Sequence, residues 1–429
     1  MPGSTAGGGG LNQGPELEVI QTEALGFKSI AGDAKLRLTS AWSPPPADTA
    51  SLMSIAPRRG LVAAAGPDGI TIASTESVRK GFEREKEGDA DVRAFEPQGK
   101  LPMPMRVSQL AFTADENYLI LSAESGGGLA VYEVQTLLQG GTKAAFELAT
   151  NGETLRALIP NPTIEKAELC AIVTDNGNLH IANLKERQTS TSLKTQLVAG
   201  LADGTIFQMT PEGEAKGEIP RPPNVANAHV YHLVTRKLPS DFTFQKLTDP
   251  VDPFGAEKTP HHTILRLKDF PPNLQDLLIV ASTASPDIGL LSRAKSPLTA
   301  DHPVDTAGVF TTTELADDSK RASLPMNDSF ENTVPIGAAL DLSSKDKVYK
   351  PLPADEEIED SPGPLPGLWV LNHEGVLSSW WIVSSGVNGV NGGTGRDART
   401  KQFSLRRSFE HNSFWLNFFF GLGPKAITL

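Results

Sequence analysis

Six stretches of the chain repeat one pattern: an apolar run, a short turn built on glycine, aspartate or asparagine, and a second apolar run. They are Leu61–Ile72 (LVAAAGPDGITI), Tyr118–Val134, Leu169–Leu184, Gln196–Met209 (QLVAGLADGTIFQM), Leu277–Leu291 and Leu368–Val383. Tight hairpin turns require φ > 0, which glycine reaches without steric cost, so each stretch predicts an antiparallel pair. In Gln196–Met209 both faces of each run are apolar, with Leu197, Ala199 and Leu201 on one side and Val198 and Gly200 on the other. A hairpin with one wet face would alternate apolar and polar, so these strands are expected to lie between two covering layers.

Neighbouring segments extend the pairs into meanders. Ser51–Ile55, Gly60–Ala65 and Gly69–Thr75 predict three consecutive strands, as do Val107–Phe112, Tyr118–Ala123 and Gly128–Val134. A third set, 146–184, offers four. Several short strands repeating along one chain fit an all-β, divergent WD40-like β-propeller of about seven blades. The rhythm is irregular. The turn glycines Gly69, Gly128, Gly177 and Gly204 are separated by 59, 49 and 27 residues, whereas a four-stranded blade takes about 40–45. The polar linker Lys185–Thr195 has no apolar run, so the blade around Gly204 is expected to lack the strand before Gln196. Residues 1–15, Gly-rich, are expected to be disordered, and 16–383 to form the propeller. Within it, the polar stretch 294–362 reads as a long insertion, and 384–429 as a low-complexity and atypical tail. The charged segment Phe82–Glu96 reads as a solvated connection.

Composition narrows the function classes. The chain has 429 residues, a net charge of −12, 33 Pro and 39 Gly. Such a charge disfavours direct nucleic-acid binding and leaves room for a basic protein partner. Cys170 is the single cysteine, which excludes an internal disulfide and a cysteine zinc cluster. It lies in an apolar run and reads as a small buried hydrophobe. No apolar run reaches the roughly 18–20 residues of a membrane helix, so no membrane insertion is expected. The opening residues lack a basic region followed by an apolar one, so no secretory signal is expected. The sequon Asn327-Asp328-Ser329 then carries little meaning.

Candidate chemistry is sparse. His229 and His232 have H-x-x-H spacing, but on a strand positions i and i+3 face opposite sides. His261-His262 lacks a nearby third ligand. No Walker loop, dinucleotide-binding turn, G-x-S-x-G or H-E-x-x-H motif occurs, so no cofactor and no metal are expected. Turn aspartates such as Asp68, Asp175 and Asp203 are most simply turn formers. Two further readings stay open at this point: a propeller hydrolase using carboxylates at a central channel, and a WD40-like scaffold of another assembly. A β-rich repeat body with acidic loops and no catalytic motif reads first as a docking platform, because loops on a rigid scaffold supply binding surface.

Three stretches carry a resemblance: QLVAGLADGTIFQMTPEG (196–213), DFTFQKLTDPVDPFG (241–255) and GPLPGLWVLNHEGVLSSWWIV (363–383). Together they resemble the N-terminal β-propeller of the fungal FG nucleoporin on the cytoplasmic face of the nuclear pore. The resemblance covers about 17–383. It implies a seven-bladed propeller that docks a DEAD-box RNA helicase for mRNA export, with other nucleoporins as further partners. The family's acidic propeller loops face basic helicase residues. Asp203, Asp249 and Asp252, acidic and in loops, are the candidate contacts here. The FG-repeat region and coiled-coil anchor of that family are not found in the chain.

Overall fold

The computed structural model describes residues 11–84, 91–190, 197–200, 205–209, 215–219, 231–238, 241–251, 260–299, 306–352 and 358–385. Nearly all regular structure is β. The described strands form separate sheets that follow one another along the chain. Met53–Ala56, Leu61–Gly66, Gly69–Ser74 and Gly99–Pro102 make one. Val107–Phe112, Tyr118–Ala123, Leu129–Glu133 and Phe146–Leu148 make the next, and Leu155–Pro160, Leu169–Thr174, Leu179–Asn183 and Gln188–Ser190 the third. Each is an antiparallel meander. The glycine turns sit between the middle strands, as the apolar pattern requires: Gly66 pairs with Gly69, and Ser122 with Leu129.

The first strands of successive sheets meet edge to edge. Ser51 N donates to Ser108 O and Leu110 N to Ser51 O, each at 2.9 Å. On the other side Leu52 N donates to Ile336 O at 2.9 Å. The buried Gln109 amide reaches two neighbours at once, Thr49 O at 2.7 Å and Arg156 O at 3.2 Å. Inner strands joined in sequence, with their sheets radiating outward, make a β-propeller. The cores lie between sheets. Leu52, Ala63, Leu119, Trp369 and Leu377 belong to one such layer.

The ring is closed by the beginning of the chain. Pro335–Asp341, Gly367–Asn372 and Val376–Ser384 are completed by Leu25–Ser29 and Lys35–Arg37, which pair antiparallel with Val376–Ser384. Upstream, Val19–Thr22 lies parallel to Phe310–Leu315, and Leu11–Gln13 parallel to Phe242–Phe244 of the strand Asp241–Leu247. The first described residues therefore strap three successive sheets. Leu17 and Ile20 are buried in this strap. Leu11–Gln13 falls inside the segment expected to be disordered; pairing with a distant strand edge gives it the partner that its own composition does not supply.

Two other expectations are corrected, and the blade count is met in part. Where about seven blades are predicted, five sheets reach four or more strands; Leu197–Ile219 and the sheet built on Tyr231–Leu247 have three each among the described residues. Around Gly204 the hairpin pairs Leu197 with Met209 and Gly200 with Ile206, and no distant strand supplements it among the described residues. The polar stretch 294–362 is no simple insertion. Phe310–Leu315 and Pro335–Asp341 are strands of two sheets, with Thr311, Thr312, Thr313 and Ala339 buried by neighbouring layers. Within the charged segment Phe82–Glu96, Val92–Ala94 is a strand beside Lys35–Arg37, and leading into that segment Thr75–Glu83 is a helix. Ser74 caps it, its side chain accepting from Ser77 N at 3.0 Å, while Val78 and Phe82, four apart, enter the core.

Close approach at the inner ring leaves room for nothing larger than glycine at one position. A Cβ on Gly337 would stand 2.7 Å from Met53 N and from its Cβ. Gly337→Ala is expected to destabilise the chain by about 1–3 kcal/mol through overpacking, measured as a fall in the urea midpoint with unchanged slope.

Candidate functional site

The strands of a meander alternate in direction, so the central turns and the connections between sheets share one rim. The longest described connection on it runs from 316 to 334, between Phe310–Leu315 and Pro335–Asp341. Its course is fixed at both ends. Ile288 N donates to Ala322 O and Leu324 N to Pro286 O, an antiparallel bridge with the turn at 285–287. Ala322 and Leu324 are buried in the core beneath. At the other end His373 N donates to Val334 O, Val334 N donates to His373 Nδ1, and Asn372 Nδ2 donates to Thr333 Oγ1.

Between these anchors the chain turns tightly at 326–332. Asn327 closes the turn: its Oδ1 accepts from Ser329 N (3.0 Å) and Glu331 N (2.9 Å), and its Nδ2 donates to Glu331 Oε2 (3.1 Å). Two large apolar side chains project from it, Phe330 at 86% exposure and Met326 at 60%. Phe330 sits at φ 61°, a left-handed conformation uncommon for a bulky residue. A rigid turn that holds an aromatic ring in water serves something other than the fold.

The same connection is acidic on its exposed side. Asp317, Asp318, Asp328 and Glu331 stand on it with Lys320 and Arg321. Arg321 folds back to donate to Leu315 O and pairs with Asp318 at 3.2 Å. Lys320 is largely covered and reaches Glu23 O and Asp317. Hydrogen bonds from the Ser319 hydroxyl and amide hold the Asp317 carboxyl below the ordinary aspartate range. Asp287, exposed at the bridged turn, adds another carboxylate.

Of the sequence candidates, Asp203 and Asp252 lie outside the described residues. Asp249 is placed at this rim, in the connection that leads to His261, whose amide donates to Thr283 Oγ1. Its side chain is 12% exposed and turned inward: Oδ1 accepts from Val251 N at 3.0 Å and lies 3.4 Å from His262 Nε2. Tyr231 packs edge-on against His262, and burial, followed by the charge of Asp249, pushes its hydroxyl pKa upward. The histidine pairs separate. His229 lies outside the described residues, while His232 is buried in its strand, its pKa lowered by burial and by Lys246. No cluster of three metal-ligating side chains occurs among the described residues. Cys170 is buried and its thiol pushed up to about 12.

The most enclosed carboxylates are committed to neighbours. Asp276 is held by Arg266 and Arg293, Asp341 by Arg79 and Ser343, and Glu116 by Arg58 and two backbone amides.

Antiparallel meanders that follow one another along the chain, closed by its first strands, define a β-propeller. The model of the NUP159/214 β-propeller family matches residues 46–230 and 224–377; the chain belongs to that family. It is 60% identical over 427 residues to Nucleoporin NUP159 of Chaetomium thermophilum, which covers 88% of this chain and 29% of that protein. To the Homo sapiens nuclear pore complex protein Nup214 it is 22% identical, over 82% of this chain and 18% of that one. The chain thus spans under a third of the length of these relatives. A solved Saccharomyces cerevisiae complex, in which dbp5 is bound to nup159 with gle1, IP6 and ADP, matches with a TM-score of 0.64 at 15% identity. The match covers 87% of this chain and 100% of the solved one. At that identity the likeness shows the fold.

Proposed function

We propose that the chain is a docking platform of the nuclear pore's cytoplasmic face, and that it recruits a DEAD-box RNA helicase for mRNA export. Membership of the nucleoporin family supports the location and makes other nucleoporins the further partners. The solved complex of nup159 with dbp5 supports the helicase as partner. The reading is of a binding module and not an enzyme, in keeping with buried carboxylates tied to arginines. We take the two three-stranded sheets as the remaining blades of a seven-bladed ring. We place the propeller at 11–385, since Leu11–Gln13 pairs with Phe242–Phe244 and Ser384 with Leu25.

The observation that carries the docking site is Phe330, held in water beside Asp328 and Glu331 on an anchored turn. Such a tip suits a partner surface with an apolar socket in a basic surround: the ring supplies buried area at low entropic cost, and the carboxylates supply steering. Asp203, Asp249 and Asp252 are proposed to extend the acidic rim. Asp249 acts there through its charge, since its side chain is already engaged.

Titration calorimetry of the purified chain against a Dbp5-type helicase tests this at several salt concentrations. Phe330→Ala is expected to weaken binding by about 10–30-fold at every salt, the scale of an aromatic hot spot. Asp328→Lys with Glu331→Lys is expected to weaken it mainly at low salt, where exposed charges are least screened. Unchanged affinity in both variants would overturn the site; no binding by the unaltered chain would overturn the helicase reading.

A further inference from the structure

Where the ring closes, the first sheet and the last leave a cleft of about 450 Å³ between them. Two strand edges line it. Among the described residues Gly99–Pro102 is hydrogen-bonded on one side only, to Gly69–Ser74, and contributes Lys100, Leu101 and Pro102. Val92–Ala94 is likewise bonded among them on one side only, to Lys35–Arg37, and contributes Ala94. Such edges carry unpaired backbone amides and carbonyls, the template for an added strand. The turn from Gly66 to Gly69 forms a wall of backbone. Gly69 stands at φ 151°, and a Cβ there would fall 2.4 Å from Leu101 O, so no side chain can fill this end.

The interior has an apolar floor, Leu38, Ile70 and Leu101, all buried, with Phe95 beside them, and Thr39, Ser40 and Thr71 add hydroxyls to the wall. Two exposed cations, Arg37 and Lys100, stand over it. Arg37 donates to the carbonyl of Glu374 at 2.8 Å; neither cation has an ion pair among the described residues. Asp68 is the one carboxylate in the lining. In a chain of net charge −12, two exposed cations with no carboxylate partner among the described residues, set over one cleft, favour an anionic ligand.

We propose that this cleft is a second docking site, which takes an extended peptide from a partner protein. An apolar side chain lies on the Leu38–Leu101 floor, the peptide backbone pairs with a free strand edge, and a neighbouring carboxylate is held by Arg37 and Lys100. A volume near 450 Å³ suits one or two side chains of a longer ligand. The site is separate in its residues from the Phe330 turn, so one propeller can hold two partners.

The test uses the purified chain on an array of hexapeptides in which every position is varied, beside a second array with Asp and Glu replaced by Asn and Gln. The unaltered chain is expected to select an apolar residue next to Asp or Glu, and to bind the amide counterparts about tenfold more weakly. Arg37→Glu with Lys100→Glu is expected to lose that selection while keeping its circular dichroism, its melting temperature and its helicase affinity. Phe330→Ala is expected to keep it. A photoreactive group on the best hexapeptide is expected to label residues 66–71 or 94–102. Equal binding of acidic and amide peptides, retained selection in the charge-reversed chain, or labelling elsewhere would overturn the proposal. So would a dimer in sedimentation that Lys100→Glu dissociates, because the cleft would then be filled by a second copy.

Discussion

Asp276→Asn is expected to destabilise the propeller by about 3 kcal/mol or more, with the fall in urea midpoint as the measurement. Asp276 is wholly buried, and its two oxygens are divided between two arginines on the flanking strands. Oδ1 accepts from Arg266 Nε at 2.9 Å and from its Nη2; Oδ2 accepts from Arg293 Nε at 2.8 Å and from its Nη2. The arginines are 36% and 34% exposed, and Arg293 also stacks over Phe310 at 5.1 Å. An asparagine of the same shape has one acceptor, and turns two N–H groups toward a guanidinium. Breaking a buried pair by removing one partner costs about 3–5 kcal/mol, because charge is left uncompensated. Partial exposure of both arginines lets water recover some of this, which places the expectation at the lower end. Replacing all three residues with apolar ones of similar volume is expected to recover most of the loss. A midpoint unmoved by Asp276→Asn would mean that water already carries these guanidiniums.

The hairpins were legible because their determinants are local. A glycine or Asp-Gly between apolar runs specifies turn and register together, and Leu61–Ile72 pairs as that pattern requires. The strap was not legible. Val19–Thr22 lies beside Thr312–Leu315, and nothing in a four-residue segment names a partner edge so distant in sequence. The helix Thr75–Glu83 carried its signals openly: a serine cap, with Val78 and Phe82 one turn apart. The density of charge in the following residues outweighed them. Phe310–Leu315 was faint because its inward positions are threonines, which a polar reading assigns to surface although neighbouring layers bury them.

The candidate site divides along the same line. Acidic loops on a scaffold could be read from charge and turn grammar, and the resemblance pointed to the partner. Which carboxylates face outward could not be read. Asp249 turns to His262, while Asp318, in a stretch read as an insertion, is exposed and paired with Arg321. Asn327 looked like part of a sequon; its side chain builds the turn that presents Phe330. A lone phenylalanine among Asn, Asp, Ser and Glu is the one signal that sequence offers for such a tip, since a ring with no apolar neighbours has no core to join.

Acidification is expected to weaken the fold through His261. This residue opens an inner strand and is bonded by its backbone to Thr283. Burial lowers its pKa from 6.5 to about 4, helped by the charges of His262 and Arg156 and opposed by Asp48. The folded chain therefore holds His261 neutral, whereas the unfolded chain protonates it near its ordinary value. Above pH 6.5 both states are neutral there and stability does not depend on this group. As the pH falls from 6.5 toward 4 the unfolded state binds the additional proton, and stability declines. Below about 4 both states are protonated and the decline from this residue stops. The gap between the two pKa values amounts to about 3 kcal/mol across that window. His261→Gln keeps a polar side chain of similar size and cannot take the proton. Its urea midpoint is expected to vary less between pH 6.5 and 4 than that of the unaltered chain, with the two profiles parallel above 6.5. Parallel profiles throughout would show that His261 is solvated in the folded state, and that acid sensitivity belongs to the carboxylates.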